Sequence, residues 1–448
     1  MSTELHGHLD HGEVLSTILA EENFRPAEPA SLAEAGLPDS FVDGLIIKYL
    51  ALVGVMSGRG ISEALCLPFG VLEPRFLSLR TRQFLKHTGS APLNDYCYAL
   101  TENGNERAEA LVKACAYIGP APVPLMDYII SVEAQTIRAE APRQAELARA
   151  FQDILVDPAL FDCLGPAVNS GAGLFLYGAP GNGKTTLAER ITGCFGQQIW
   201  LPHALIDDGQ IVKLYDAAYH VTVEAAESSI IKQAAFDRRW VKVRRPTVVA
   251  GGELTMDSLE IRHDPVSNTS EAPLHLKSNC GSLLIDDFGR QRMDPIELLN
   301  RWIVPLEKRY DFLTLSTGKK IQVPFEQLII FSTNLEPSDL VDEAFLRRIP
   351  YKINVPDPTE EEFHLLFESC AKTHGCEYRH DAVEYLLAQH YRPLQRNLRR
   401  CHPRDLLAQI GHFCKYHGRK IEMTPKYFDL VVKNYFTVVT DSKGAKHG

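Results

Sequence analysis

Long apolar runs are missing from this 448-residue chain, and with them any stretch able to cross a bilayer as a helix. The N-terminal run "MSTELHGHLDHGE" has neither the basic start nor the apolar centre of a secretory leader, so a cytoplasmic protein with no membrane partner is expected. Its ten cysteines include no C-x-x-C pair. Cys370, His374 and Cys376 lie close together, as do His412, Cys414 and His417, but neither group has the paired spacing of a zinc site. Reduced thiols are the expectation. Internal repeats and low-complexity segments are also lacking. Basic charge is scarce at one end only: residues 1–40 carry eight acids against Arg25 alone, which accounts for most of the net charge of −10. The acidity therefore says little about what the folded part binds.

What is present begins with "FVDGLIIKYLALVG", apolar at helical spacing, then "ISEALCL" and "VLEPRFLSLRTRQFL", with Pro74 expected in the first turn of a third helix. Two strand-like stretches, "FLKHTG" and "DYCYAL", flank the turn-rich "SAPLN", and Thr101 is placed to cap a closing helix over "TENGNERAEALVKA". Three helices, a hairpin and a closing helix resemble a winged-helix α+β domain over 41–118. The prolines of "GPAPVPLMDY" predict a stiff linker at the start of a 119–170 helical segment. Strand and helix signals then alternate from 171 to 357, the pattern of a parallel α/β sheet. Helical patterns fill 358–436, and 1–40 and 437–448 are expected as tails.

"LFLYGAPGNGKTT" joins an apolar strand to a glycine-rich loop and a helix, which is the full P-loop signature. Gly178, Ala179, Pro180, Gly181, Asn182 and Gly183 can turn successive N–H groups inward as an anion nest at a helix N-terminus, reinforced by Lys184, Thr185 and Thr186. Lys184 is expected to face solvent until a phosphate arrives. Thr185 can ligate Mg²⁺, and so can Asp286, which ends the apolar run "SLLI" of "SLLIDDFGRQ". Ligands in parallel sheets gather at the carboxyl ends of strands, where both groups must lie.

Further along, "QLIIFSTNLEP" ends a strand in Ser332-Thr333-Asn334, "DEAFLRRIPYKI" carries Arg347 and Arg348, and "RCHPRDLLAQI" puts Arg404 at a helix start. In that order these segments resemble the AAA+ superfamily over about 171–436, with a pre-sensor hairpin like that of Clp- and MoxR-type members in "DFLTLSTGKKIQVPF". The resemblance implies a P-loop parallel-sheet domain with a C-terminal helical lid, ATP and Mg²⁺ as ligands, and ATP hydrolysis. It further implies that Asn334 positions the attacking water, and that Arg348 (or Arg347) is a finger reaching a neighbour's nucleotide in a homo-oligomeric ring. Arg404 would be the lid arginine on the γ-phosphate.

Two departures stand out. Asp287 replaces the usual glutamate, which shortens its reach by about 1.5 Å, and a misplacement of ~1 Å can cost about 10²-fold in rate. A "DD" pair does occur in helicase-loader and transposition-helper relatives, so Asp287 remains the expected catalytic carboxylate. The second departure is length: Asp286 lies 102 positions after Lys184, and an insertion is expected around "RRPTVVAGGELTMDSLEIRHDPVSNTSEAP". The implied activity is remodelling of a macromolecule, with protein the expected substrate because Phe41–Cys115 has eight bases and seven acids. DNA remains the alternative through Arg75, Arg80, Arg82 and Lys86. A nucleotide-gated switch with slow hydrolysis is a third.

Overall fold

The structure, a computed structural model, describes residues 24–196, 198–223, 235–340 and 346–436. At its centre lies a five-stranded parallel sheet. Its strands run Thr247–Ala250, Ser282–Ile285, Leu328–Thr333, Leu174–Tyr177 and Tyr351–Asn354, in that spatial order. Parallel strands covered on both faces read as unbroken apolar runs, and "SLLI" and "LIIFST" are buried at every position. Side chains alternate between faces with period two. Leu174, Leu176, Leu284 and Ile330 share one core with Leu187 and Ile191 of the P-loop helix. Phe175, Leu283, Ile285 and Phe331 share the other with Phe288 and Trp302. The registers Leu284 beside Ile330 and Ile330 beside Leu174 bring the ends of the three central strands to one edge.

Four helices follow the sheet: Glu360–Thr373, His380–Leu386, His402–Tyr416 and Pro425–Tyr435. The first opens with a capping box, in which Thr359 and Glu362 satisfy each other's backbone N–H groups. The last has Thr424 as cap and Pro425 in its first turn. Phe363, Phe367, Leu386, Leu406, Ile410 and Phe428 form a core of their own.

The N-terminal module has the predicted element order. Helices Asp39–Val53, Gly58–Leu65 and Phe69–Thr81 precede a hairpin of Leu85–Ala91 and Asp95–Leu100, and Glu102–Ala114 closes it with Thr101 as cap. Val55–Ser57 pairs with the second hairpin strand, which makes a three-stranded antiparallel sheet. Pro74 sits inside the third helix, not in its first turn, because that helix begins at Phe69.

Three expectations need correction. Residues 24–40 are not a tail: Leu32, Ala35 and Leu37 are buried, and Asp237 N–H donates to Pro26 C=O at 3.1 Å. Residues 1–23 and 437–448 lie outside the described residues. The proline-rich linker is not a free spacer, since Val123–Pro124 pairs in parallel with Ala204–Asp207. Ala121 N–H donates to Leu65 C=O at 2.8 Å, and the Arg239 guanidinium donates to Ala35 C=O and Pro122 C=O.

The insertion is also placed differently. Thr247–Ala250 is the edge strand of the central sheet, so the added structure lies on both sides of it. Before it, Gln198–Pro202 pairs with Trp240–Arg244. A second five-stranded sheet runs Arg262–Asp264, Thr269–Glu271, Gln210–Lys213, Ala204–Asp207, Val123–Pro124. Ala204 and Ile211 belong to the N-terminal module's core. The expected hairpin forms from Tyr310–Thr314 and Lys320–Pro324, but its inner face (Leu313, Ile321, Val323) packs on this second sheet. At its tip Lys319 pairs with Asp207 at 2.7 Å.

Candidate nucleotide-binding site

The loop after Leu174–Tyr177 turns through Gly181 and Gly183, with φ of +84° and +82°, a region that favours glycine. A Cβ on Gly181 would also sit 2.5 Å from the Cys401 sulfur of the lid. The helix Lys184–Ile191 starts at once, and its first N–H groups point back into the loop.

Lys184 is 6% exposed, not solvent-facing as expected. Its ammonium donates to the carbonyls of Gly178 and Ala179 at 3.0 Å and to Asn334 Oδ1 at 2.6 Å. Burial lowers its pKa, the Asp286 and Asp287 carboxylates oppose that, and the Arg399 charge adds to it. Asn334 Nδ2 in turn donates to Asp287 Oδ1 at 3.2 Å. One asparagine thus links the P-loop lysine to the second acid of the "DD" pair.

The first acid does something different. Thr185 Oγ1 donates to both oxygens of Asp286, at 2.9 and 3.1 Å. A hydroxyl and a half-buried carboxylate in contact are hard oxygen donors, the set that suits Mg²⁺. The peptide turns sharply after Asp286: Asp287 has φ of +50°. Phe288 N–H donates to Ser332 C=O at 2.7 Å, and Thr333 Oγ1 to Phe288 C=O at 2.9 Å. Gln291 buttresses the turn by donating to Asp286 C=O and accepting from Gly289 N–H. The two strand ends therefore hold Asp286, Asp287 and Asn334 in fixed relation.

The arginines divide. Arg404 is 70% exposed and paired with its neighbour Asp405, so it is not brought to the P-loop. Arg399 and Arg400 are. Arg400 N–H faces Asn182 Oδ1 at 3.4 Å, and its guanidinium holds Leu155 C=O and Glu362. Cys401 N–H donates to Gly181 C=O at 2.9 Å. Arg399 pairs with Asp357, which also accepts from Asn182 Nδ2 at 2.7 Å. Sequence reasoning missed Arg399 and Asp357. "RNLRRCHPRD" offers several basic residues with nothing local to rank them, and Asp357 in "VPDPTEEE" reads as a turn residue. Arg348 donates to Glu307 at 2.7 Å, and Arg347 is exposed. Residues 342–345 of the same run lie outside the described residues.

Comparison with known proteins adds little. Residues 359–434 match a family model described as a domain of unknown function, DUF8689. No curated protein matches the chain. Among solved structures, NtrX from Brucella abortus aligns at 14% identity over 67% of this chain and 61% of that one, with a TM-score of 0.40. NtrX in complex with ADP aligns at 15% identity over 76% and 69%, also at 0.40. A Thermotoga maritima RuvB mutant aligns at 14% identity over 65% and 73%, at 0.37. The chain spans about three fifths of the length of the first of these. Likenesses this distant carry no weight on function.

Proposed function

We propose, from the AAA+ ATPase fold seen in the sheet order, the P-loop and the helical lid, that this chain binds and hydrolyses ATP to remodel a macromolecule. The observation that carries the reading is the convergence of Lys184, Thr185, Asp286, Asp287 and Asn334 at one edge of the central sheet. In this reading the loop from Gly178 to Gly183 and Thr186 cradles the phosphates, and Lys184 leaves its carbonyl partners to meet them. Thr185 and Asp286 would hold Mg²⁺, which supplies charge neutralisation at the phosphates. Asp287, steadied by Asn334, takes the proton of the attacking water, and both groups exclude other orientations of that water.

The substrate is proposed to be protein. Were the N-terminal module a winged helix reading DNA, its third helix would need free cations. Arg75 and Arg82 instead pair with the buried Asp43 of the first helix, and Arg75 also with Asp39. Arg80 lies against His87. Two of the four bases named for DNA are thus held by carboxylates, which leaves Arg80 and Lys86 to meet phosphates and makes DNA the weaker reading.

Assembly into a ring, with Arg348 or Arg347 acting on a neighbour's nucleotide, is part of the same proposal. The test is ATP turnover by the purified chain, with Arg348→Ala and Asp287→Asn each nearly inactive. Mixing them should restore activity, because an intact Arg348 from one serves an intact site in the other. A trans-acting finger is worth about 10³–10⁵ in rate, so the restored signal would be large. A dead mixture of subunits that demonstrably exchange would remove the finger assignment, and absent turnover by the parent chain would remove the ATPase.

A further inference from the structure

We infer that the far end of the helical lid, where Lys415, Arg419, Lys420 and Lys426 accompany the exposed ring of Tyr416, is a binding surface for single-stranded nucleic acid. This partner is additional to the proposed protein substrate, and the inference does not rest on ATP binding. Helix His402–Tyr416 begins beside Gly181 of the P-loop, through Cys401, and its 15 residues carry its other end about 22 Å away. The surface is therefore separate from the nucleotide site.

Local chemistry fixes the backbone there. Gly418 has φ of +64°, and Arg419 N–H closes back on Cys414 C=O at 2.8 Å, a helix end that glycine favours. Arg419 and Lys420 follow in the connection, and Pro425 opens the last helix with Lys426 in its first turn. The four cations thus lie at the junction of the two helices.

Charge is segregated within the lid. Lys372, Arg379, Arg392, Arg400 and Arg404 each pair with a carboxylate. Lys415, Arg419, Lys420 and Lys426 are all exposed, and among the described residues they form no ion pair. In a chain of net charge −10, residues 411–436 carry five bases against Glu422 and Asp429. Asp429 is itself held by Tyr385 and His390. Lys415 complements the negative end of its own helix, but Lys426 sits at the positive end of the next, where a cation is unfavourable. Helix stability therefore does not account for the cluster.

The aromatic residues supply the second element. Tyr427, Phe413, His417 and Tyr416 form a series with ring separations of 5.8, 4.4 and 4.9 Å. The series starts at rings packed on the lid core and ends at Tyr416, which is 86% exposed. A ring held out in water beside unpaired cations offers a face for an unstacked base and charges for the flanking phosphates. An acidic polypeptide would use the cations and leave the ring idle, and a duplex keeps its bases stacked inside.

The experiment measures fluorescence anisotropy of labelled oligo-dT and oligo-U, each roughly twenty nucleotides long, with the full chain and no ATP. Salt is raised from about 50 to about 200 mM. Four phosphate contacts, at a log–log slope of about −0.7 each, predict an affinity loss of about 50-fold over that range. Arg419→Gln combined with Lys420→Gln should reduce the loss to about sevenfold. Tyr416→Ala should weaken binding at least about fivefold with the salt dependence unchanged, and Tyr416→Phe should keep the parent affinity. Tighter binding of one oligonucleotide assigns the strand as DNA or RNA.

A parent chain that bound neither oligonucleotide would overturn the inference. So would binding that neither the double charge variant nor Tyr416→Ala alters, because the strand would then sit elsewhere. Displacement by polyglutamate as effective as by unlabelled oligonucleotide would point instead to an acidic protein, and tighter binding of a duplex would remove the role given to Tyr416.

Discussion

Asn334→Ala is the sharpest perturbation of the proposed site, because this one amide touches both halves of the chemistry. Its Oδ1 takes a charge-assisted bond from Lys184 at 2.6 Å, and its Nδ2 donates to Asp287 at 3.2 Å. Losing the first removes one of three partners of a buried ammonium, whose carbonyl bonds to Gly178 and Ala179 remain. A hydrogen bond to a charged group is worth about 1.5–3 kcal/mol, so the nucleotide-free chain should lose about that much stability. Binding has an opposite component: Lys184 must leave Asn334 to reach a phosphate, and in the variant it no longer has to. Affinity for ATP should therefore hold or rise slightly. Hydrolysis should not survive. Asp287 has a short side chain on a left-handed turn, and the Asn334 amide is the hydrogen bond its carboxylate makes among the described residues. A misplacement of ~1 Å corresponds to about 10²-fold in rate. Fluorescent-nucleotide titration gives the affinity and single-turnover phosphate release gives the chemical step. A variant that hydrolyses within threefold of the parent, or that loses affinity and rate in equal measure, would refute the division of labour drawn here.

Asp286→Asn should weaken binding mainly when Mg²⁺ is present, since it alters the Thr185 contact; titrations with and without the ion give the comparison. Phe331→Ala removes a fully buried ring between Phe175, Phe288 and Trp302 and should cost about 3–5 kcal/mol in a denaturant titration. His402 is buried beside Tyr391, and burial pushes its pKa down to about 4. The unfolded chain then binds the extra proton between about pH 6.5 and 4, so stability is full above that window and is lost as pH falls through it. The loss approaches about 3 kcal/mol, and His402→Gln should flatten the fall in denaturation midpoint between pH 7 and pH 4.5.

The three central strands of the sheet were legible because they are buried on both faces and so read as unbroken apolar runs, whereas the half-exposed edge strand Thr247–Ala250 was not. The P-loop was legible because glycine, lysine and threonine at fixed spacing have few other uses. Caps at Thr101, Thr359 and Thr424 are local chemistry, and the first and last of them can be read from a few neighbouring residues. What escaped depends on distance in the chain. Nothing near Pro122 or Val123 in sequence says that their partners are Arg239 and Leu205. Asp43 looks like any surface acid of an amphipathic helix until Arg75 and Arg82 close on it. Arg399 and Arg404 differ by five positions and have opposite surroundings, because one precedes the helix His402–Tyr416 on the P-loop side and the other leaves its first turn outward.

Val123–Pro124 is only two residues long, yet it removes a joint. Tethers that pair with nothing leave a terminal module free to move on its own, so a displacement elsewhere in the chain need not reach it. Here the segment is laced into the sheet that grows out between the P-loop helix and the strand ending in Asp286, and Ala204 and Ile211 of that sheet fill the module's own interior. If the chain is the proposed ATPase, movement at the phosphate site would reach the N-terminal module through the backbone pairing of this sheet. Under that proposal a substrate held by the module would turn with the rest of the chain, as a wrench turns with the hand, and severing the Arg239 contacts to Ala35 and Pro122 would loosen the joint.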